Sequence, residues 1–119
     1  MDSLIILLWN VRSLIKNLAE FQKLIDDLKP HLICLTETWL KPNIRNLKFK
    51  NFDILRNDRL NINGGGVAIL IRKELNYKAI PLVYFQNGNL ECLATSVNFK
   101  HFPVDILTCY CPPGELDND

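Results

Sequence analysis

The stretch Pro30-His31-Leu32-Ile33-Cys34-Leu35-Thr36-Glu37-Thr38-Trp39 is a nearly unbroken apolar run that ends on one carboxylate, flanked by threonines and a tryptophan. A short run of this kind reads as a fully buried strand, bounded by Pro30 before and by polar residues after. A carboxylate at the exit of a buried strand needs a reason. Desolvating it costs several kcal/mol unless it is hydrogen-bonded, paired or bound to a metal. Glu37 is therefore the first residue to suspect of chemistry.

Leu4-Ile5-Ile6-Leu7-Leu8-Trp9 is a second continuous apolar run, and it ends on Asn10. Ser13 is placed as the N-cap of a helix that carries Leu14, Leu18, Phe21, Leu24, Ile25 and Leu28 on one face. Lys29-Pro30 closes that helix. Strand, helix and buried strand make a βαβ unit, whose two strands are parallel with their C-terminal ends on one edge. Asn10 and Glu37 occupy those ends, and in open α/β sheets that edge is where ligands bind.

Beyond Trp39 the chain is nearly all strand and turn. Lys41 to Lys50 reads as a loop with one helical turn around Ile44 to Leu47. Phe52 to Leu55 and Val67 to Ile71 read as strands joined by a hairpin through Arg56-Asn57-Asp58-Arg59 and Asn61 to Gly66. Gly64-Gly65-Gly66 fits a hairpin turn and lacks the Gly-Lys-Ser/Thr of a phosphate loop. Tyr77 to Phe85, interrupted by Pro81, is at best an edge strand, and Asn87-Gly88-Asn89 is a turn. Leu90 to Phe99 alternates, with Leu93, Thr95, Val97 and Phe99 on one side, and His101 sits near the reversal. Phe102, Val104, Ile106, Thr108 and Tyr110 share a face of the last strand, which Pro112-Pro113-Gly114 ends. The acidic tail Glu115 to Asp119 is expected to fray.

A length of 119 residues suits one domain. A formal charge of +1 excludes a generally basic nucleic-acid coat, so any phosphate contact has to come from a local cluster. Cys34, Cys92, Cys109 and Cys111 form no Cys-x-x-Cys pair and read as small hydrophobes in a reducing, intracellular setting. No segment has the length of a transmembrane helix, and the apolar start is too short for a signal-peptide core.

Leu7-Leu8-Trp9-Asn10-Val11-Arg12-Ser13-Leu14, Leu35-Thr36-Glu37-Thr38-Trp39-Leu40, Arg56-Asn57-Asp58-Arg59 with Gly64-Gly65-Gly66-Val67-Ala68-Ile69, and Tyr110-Cys111-Pro112-Pro113 come one after another along the chain. In that order they resemble the first half of the endonuclease/exonuclease/phosphatase domain. The apurinic-like endonuclease of non-LTR (LINE-type) retrotransposons is the most similar branch. The resemblance implies the N-terminal portion of a four-layer α/β sandwich, in which two packed sheets are flanked by helices. It also implies phosphodiester hydrolysis with Mg²⁺ or Mn²⁺ on DNA, nicking one strand to prime reverse transcription, in the nucleus. Glu37 matches the family's metal-binding glutamate, Asn10 its active-site asparagine and Tyr110 the tyrosine that contacts the scissile phosphate. Arg56, Arg59, Arg72 and Lys73 are expected to converge on the hairpin, as contacts to a DNA backbone or as solvated turn charges.

Two departures qualify the match. Related repair endonucleases carry an aspartate two residues after the asparagine, where this chain has Arg12, and that suits the retrotransposon branch. No Asp-x-Asn segment comes after Tyr110 and no terminal Asp-His pair exists. Residues 1–119 therefore read as an incomplete domain that is inactive or nearly so alone. Its natural partners are a C-terminal nuclease half and a reverse transcriptase domain, and its open sheet edges favour self-association. Three plainer readings stay open: Glu37 bonded only to threonines, Asn10 as a turn residue, and Tyr110 as core. At the level of function, a phosphatase or exonuclease on this fold, or a non-catalytic retroelement relic, are the alternatives.

Overall fold

The computed structural model describes residues 3–59, 64–82 and 90–112. The chain builds β1 (Ile6–Asn10), a 3-10 turn (Ile15–Asn17), α1 (Leu18–Leu28), β2 (Leu32–Thr36), β3 (Phe52–Asn57), β4 (Val67–Arg72), β5 (Asn76–Ala79), β6 (Glu91–Phe99) and β7 (Phe102–Tyr110). One sheet has the order β1-β2-β4-β3 and the other β5-β6-β7. β1 and β2 are parallel and every other pair is antiparallel, so the βαβ unit expected from the sequence is present. No helix among the described residues is long and apolar enough to cross a membrane.

Two apolar layers hold these pieces. Ile33, Leu35, Ala68 and Leu70 on the outer face of the first sheet pack with Leu14 and Phe21, so α1 covers that face. Phe21 stacks on Trp9 at 6.1 Å and meets Phe49 edge-on at 5.3 Å. Burying a ring of this kind is worth about 2–3 kcal/mol. On the inner face Leu32, Cys34, Ile69 and Ile71 pack with Val97, Leu93, Val104 and Ile106 of the second sheet. Helix, sheet and sheet are three of the four layers of the expected sandwich among the described residues.

Ser13 is not the N-cap of α1: that position falls on Asn17, after a 3-10 turn whose own N-cap is Leu14, and the Ser13 Oγ accepts the Lys16 N–H at 3.3 Å ahead of that turn. Lys29 in the left-handed region (φ 48) ends α1, and its N–H donates to the Ile25 carbonyl. His31 then fixes the next register, its Nδ1 accepting the Ile5 N–H at 3.0 Å.

The helical turn expected around Ile44 to Leu47 is not there. The segment turns once at Lys41–Ile44 and then runs irregularly to Phe49, because Arg56 supplies the partners a helix would have provided: its guanidinium donates to the Ile44 and Lys41 carbonyls. Leu28 is 48% exposed and Phe102 72% exposed, although both were expected on apolar faces. The β6–β7 hairpin has nine-residue strands against five or six in the first sheet, so its tip overhangs. The readings placed on Asn61 to Asn63, Val83 to Asn89 and Pro113 to Asp119 lie outside the described residues.

Phe99 pairs directly with Phe102, which leaves Lys100 (φ 50) and His101 (φ 71) as a two-residue turn with both φ positive. That is the geometry of a type I′ turn, which Asn-Gly adopts with little strain and Lys-His does not. Replacing Lys100-His101 by Asn-Gly is expected to stabilise the chain by about 1–2 kcal/mol. Urea unfolding of the two forms checks this.

Candidate active site at the sheet edge

The site begins with register. Asn10 pairs with Thr36, so the chain leaves β1 and β2 at one edge. The two exits stay zipped: Val11 N–H donates to the Thr36 carbonyl at 3.0 Å, Ser13 N–H to Glu37 at 3.0 Å and Leu14 N–H to Thr38 at 2.9 Å. On the other side Thr38 N–H donates to the Gly66 carbonyl at 3.2 Å and Trp39 N–H to Gly65 at 2.8 Å. Glu37 is thus clamped between the exit of β1 and the entry to β4.

The clamp holds the backbone in conformations that non-glycine residues rarely adopt. Arg12, Ser13, Glu37 and Trp39 all have positive φ (47, 83, 52 and 55), and such residues persist only where the surroundings over-determine them. Plain strand alternation would send the Glu37 side chain to the helix side with Ile33 and Leu35. The left-handed turn breaks that alternation, and the carboxylate accepts a hydrogen bond from the Tyr110 phenol at the end of β7. Burial, the Glu37 charge and this hydrogen bond together raise the Tyr110 pKa, with Glu91 adding to the rise and Arg59 opposing it. Tyr110 therefore stays a protonated donor at neutral pH.

Arg59 and Glu91 complete the surroundings. Arg59 Nε donates to Glu91 Oε2 at 2.6 Å in a pair whose side chains are 20% and 15% exposed. Glu91 Oε1 accepts the Gly66 N–H at 2.9 Å. Gly65 lets Arg59 lie across it: a Cβ there would stand 2.3 Å from Nε. At Gly66 (φ +90) a Cβ would stand 2.5 Å from Thr38 Oγ1. The glycines are therefore required by close approach, in a turn, as the sequence suggests, and the turn is what seats Glu37.

The structure thus brings together Glu37, Tyr110 and Arg59, with Asn10 exposed at the same edge. It separates two of the predicted arginines from them. Arg56 is engaged with Asp58 at 2.7 Å and with loop carbonyls, in a pair 17% and 10% exposed, which ties down the 41–44 loop. Arg72 does not converge on the hairpin turn at all. β4 is antiparallel to β2, so Arg72 lies at the far end of a six-residue strand, about 17 Å away. There it donates to the Pro30 and Lys29 carbonyls at 2.8 Å each, and Lys73, next along, donates its N–H to the Asn51 carbonyl at that same end. Glu91 was missed by sequence reasoning. Its one signal is a carboxylate at the first position of an apolar strand, as at the end of β2. Asn57, also missed, donates from Nδ2 to the Cys92 carbonyl at 3.1 Å and ties the sheets together beside the site.

Residues 7–118 match the endonuclease/exonuclease/phosphatase family, and the chain belongs to that family. Among solved structures it is similar to the AP endonuclease LMAP from Leishmania major, with a TM-score of 0.67 at 17% identity over 88% of this chain and 39% of that one. The endonuclease domain of TRAS1, a telomere-specific non-LTR retrotransposon, gives 0.67 at 14% identity over 92% and 46%. The 3′ phosphatase NExo from Neisseria, bound to a product DNA hairpin, gives 0.58 at 20% identity over 87% and 40%. These likenesses establish the fold, and the chain spans less than half the length of each of those three. No curated protein sequence is similar enough to count as a relative.

Two outcomes are expected from this geometry. Gly66→Ala is expected to cost about 2 kcal/mol or more, read by urea unfolding, since Thr38 and a positive φ both oppose a methyl group. Because the folded pKa of Tyr110 is raised, its contribution to stability is complete below the ordinary value of 10 and is lost as pH rises through the folded value. In Glu37→Gln the charge is gone, so the phenol is expected to titrate closer to 10, with burial still holding it above. The phenolate absorbance difference between each form and its Tyr110→Phe counterpart isolates that ionisation.

Proposed function

We propose that the chain supplies the metal-ligand half of a Mg²⁺-dependent phosphodiesterase that nicks DNA, of the kind non-LTR retrotransposons carry. The meeting of Glu37 from one sheet with Tyr110 from the other, at the edge where Asn10 also lies, carries this reading. Two features support the retroelement branch: the likeness to the TRAS1 domain and Arg12 in place of the repair enzymes' aspartate. The DNA hairpin held by the NExo structure supports DNA as the substrate class.

The donor set fits a hard divalent cation. Among the described residues no three His, Cys, Asp or Glu side chains cluster to hold a metal. Zinc, which wants three or four protein ligands, does not suit that arrangement. Mg²⁺ keeps several waters and needs only one or two carboxylates, and Glu37 would provide one. Bound there, the ion supplies neutralisation of charge on a phosphate and its leaving oxygen.

The chain's own groups position and donate. The Tyr110 phenol orients the Glu37 carboxylate and, as a donor, suits a phosphate oxygen. The Asn10 amide offers N–H donors one strand away. Arg59, held by Glu91, adds positive charge beside them without being loose enough to lead recognition. None of these groups is a base for water: Tyr110 is held protonated, and Glu91 is committed to Arg59 and Gly66. The second half of the domain and a reverse transcriptase domain are the partners this reading requires, and the nucleus is where it acts.

Mn²⁺ added to the isotopically labelled chain is expected to broaden amide signals around Glu37 and Tyr110, with the effect lost in Glu37→Ala. Nicking of supercoiled plasmid by the chain with Mg²⁺ is expected to stay at the EDTA level. Broadening centred elsewhere, or nicking that survives both EDTA and Glu37→Ala, overturns the assignment. The NExo likeness favours one second reading, 3′-phosphate removal, which a 3′-phosphorylated oligonucleotide in place of plasmid detects.

A further inference from the structure

Cys92 and Cys109 face each other as directly paired residues of β6 and β7, with their sulfurs 2.9 Å apart. Direct antiparallel pairs put their Cα atoms about 4.5–5.5 Å apart, inside the range a disulfide spans. The two thiols differ in access: Cys109 is exposed and Cys92 is buried beneath it. The next pair in the ladder is Glu91 with Tyr110. The two cysteines therefore sit one step below the strand ends that hold Arg59, Gly66 and Glu37.

We propose that Cys92 and Cys109 are a modification site, closed by peroxide into a cross-strand disulfide that pins the ends of β6 and β7 under Glu91 and Tyr110. The Cys109 thiolate attacks one peroxide oxygen, the O–O bond breaks, and Cys109 becomes a sulfenic acid as hydroxide leaves and takes up a proton. The Cys92 sulfur then attacks that sulfur, the S–S bond forms, the S–O bond breaks, and the Cys92 proton leaves with the second water. Two thiols lose two electrons to one peroxide, which becomes two waters. The thiol pool reverses the step by exchange.

The other cysteines do not compete. Cys34 is buried between the sheets at 3% exposure. Cys111 lies two residues along the chain from Cys109, and successive same-face positions of a strand are about 6.6 Å apart, beyond the Cβ separation of about 3.5–4.5 Å that a disulfide needs. Burial and the neighbouring Cys109 push the Cys92 thiol up to about 12. Cys109, the exposed member of the pair, is therefore the thiol that peroxide meets first.

The test treats the purified chain with hydrogen peroxide, blocks remaining thiols with N-ethylmaleimide and maps peptides without reduction. The expected result is one linked peptide pair, Cys92 to Cys109, with Cys34 and Cys111 blocked. That pair is unchanged in Cys111→Ser and absent in Cys92→Ser and Cys109→Ser. Amide exchange at Cys92 and Tyr110 is expected to slow roughly tenfold on oxidation and to return with dithiothreitol. Cys109 stopping at sulfenic or sulfinic acid, pairing with Cys111, or linking two molecules would each overturn the proposal. So would a Cys92–Cys109 bond that leaves exchange at the strand ends unchanged, since the pinning would then be absent.

Discussion

A strand covered on both faces has no room for a polar side chain along its length, so β2 can do chemistry only at its ends. Leu32, Ile33, Cys34 and Leu35 are all buried, serving the helix layer and the sheet–sheet layer alternately. Two neighbours, β1 and β4, satisfy its backbone. Everything else in the molecule is placed relative to this strand. At one end His31 and Arg72 bind backbone and close the structure; at the other the chain turns left-handed and delivers Glu37.

That delivery depends on a contact in which side chains are the obstacle. The segment Glu37–Trp39 hydrogen-bonds to Gly65 and Gly66, and neither position has space for a Cβ. The same glycines admit Arg59 from above and offer an N–H to Glu91. A half-buried ion pair is weak evidence for net stability, since desolvation offsets most of its attraction. Its use here is geometric: Arg59–Glu91 joins the β3 exit to the start of β6, and so sets where the neighbouring Tyr110 stands. Strain at Arg12, Ser13, Glu37 and Trp39 is the counterpart of that fixed position.

The βαβ unit was legible because its signals are local and strong: two continuous apolar runs, a 3.6-residue stripe and Pro30 at the boundary. Asn10 and Glu37 could be placed on one edge from topology alone, before any distance was known. What could not be read was partner choice. Arg56, Arg59 and Arg72 look alike in sequence, yet one ties a loop, one meets Glu91 and one closes the far end of the sheet. Glu91 escaped notice because a carboxylate opening a strand is common, and only the fold shows that it faces Gly66. The helical turn around Ile44 failed for a related reason, since Arg56 outcompeted local propensity for the same carbonyls.

The site also explains which surfaces remain open. Ile6, Leu8 and Asn10 share the face of β1 that continues the inner layer, in register with Leu32, Cys34 and Thr36. Leu32 and Cys34 are buried, while Ile6 is 38% and Leu8 75% exposed, because among the described residues the second sheet ends at β7 and does not reach over β1. An apolar inner face of this kind is built to be covered. Asn10 lies on it, so whatever covers Leu8 also closes the wall of the site beside Glu37. Covering that face would change the surroundings of Asn10 as well, since Asn10 ends the same face of β1 and pairs with Thr36, one residue before Glu37.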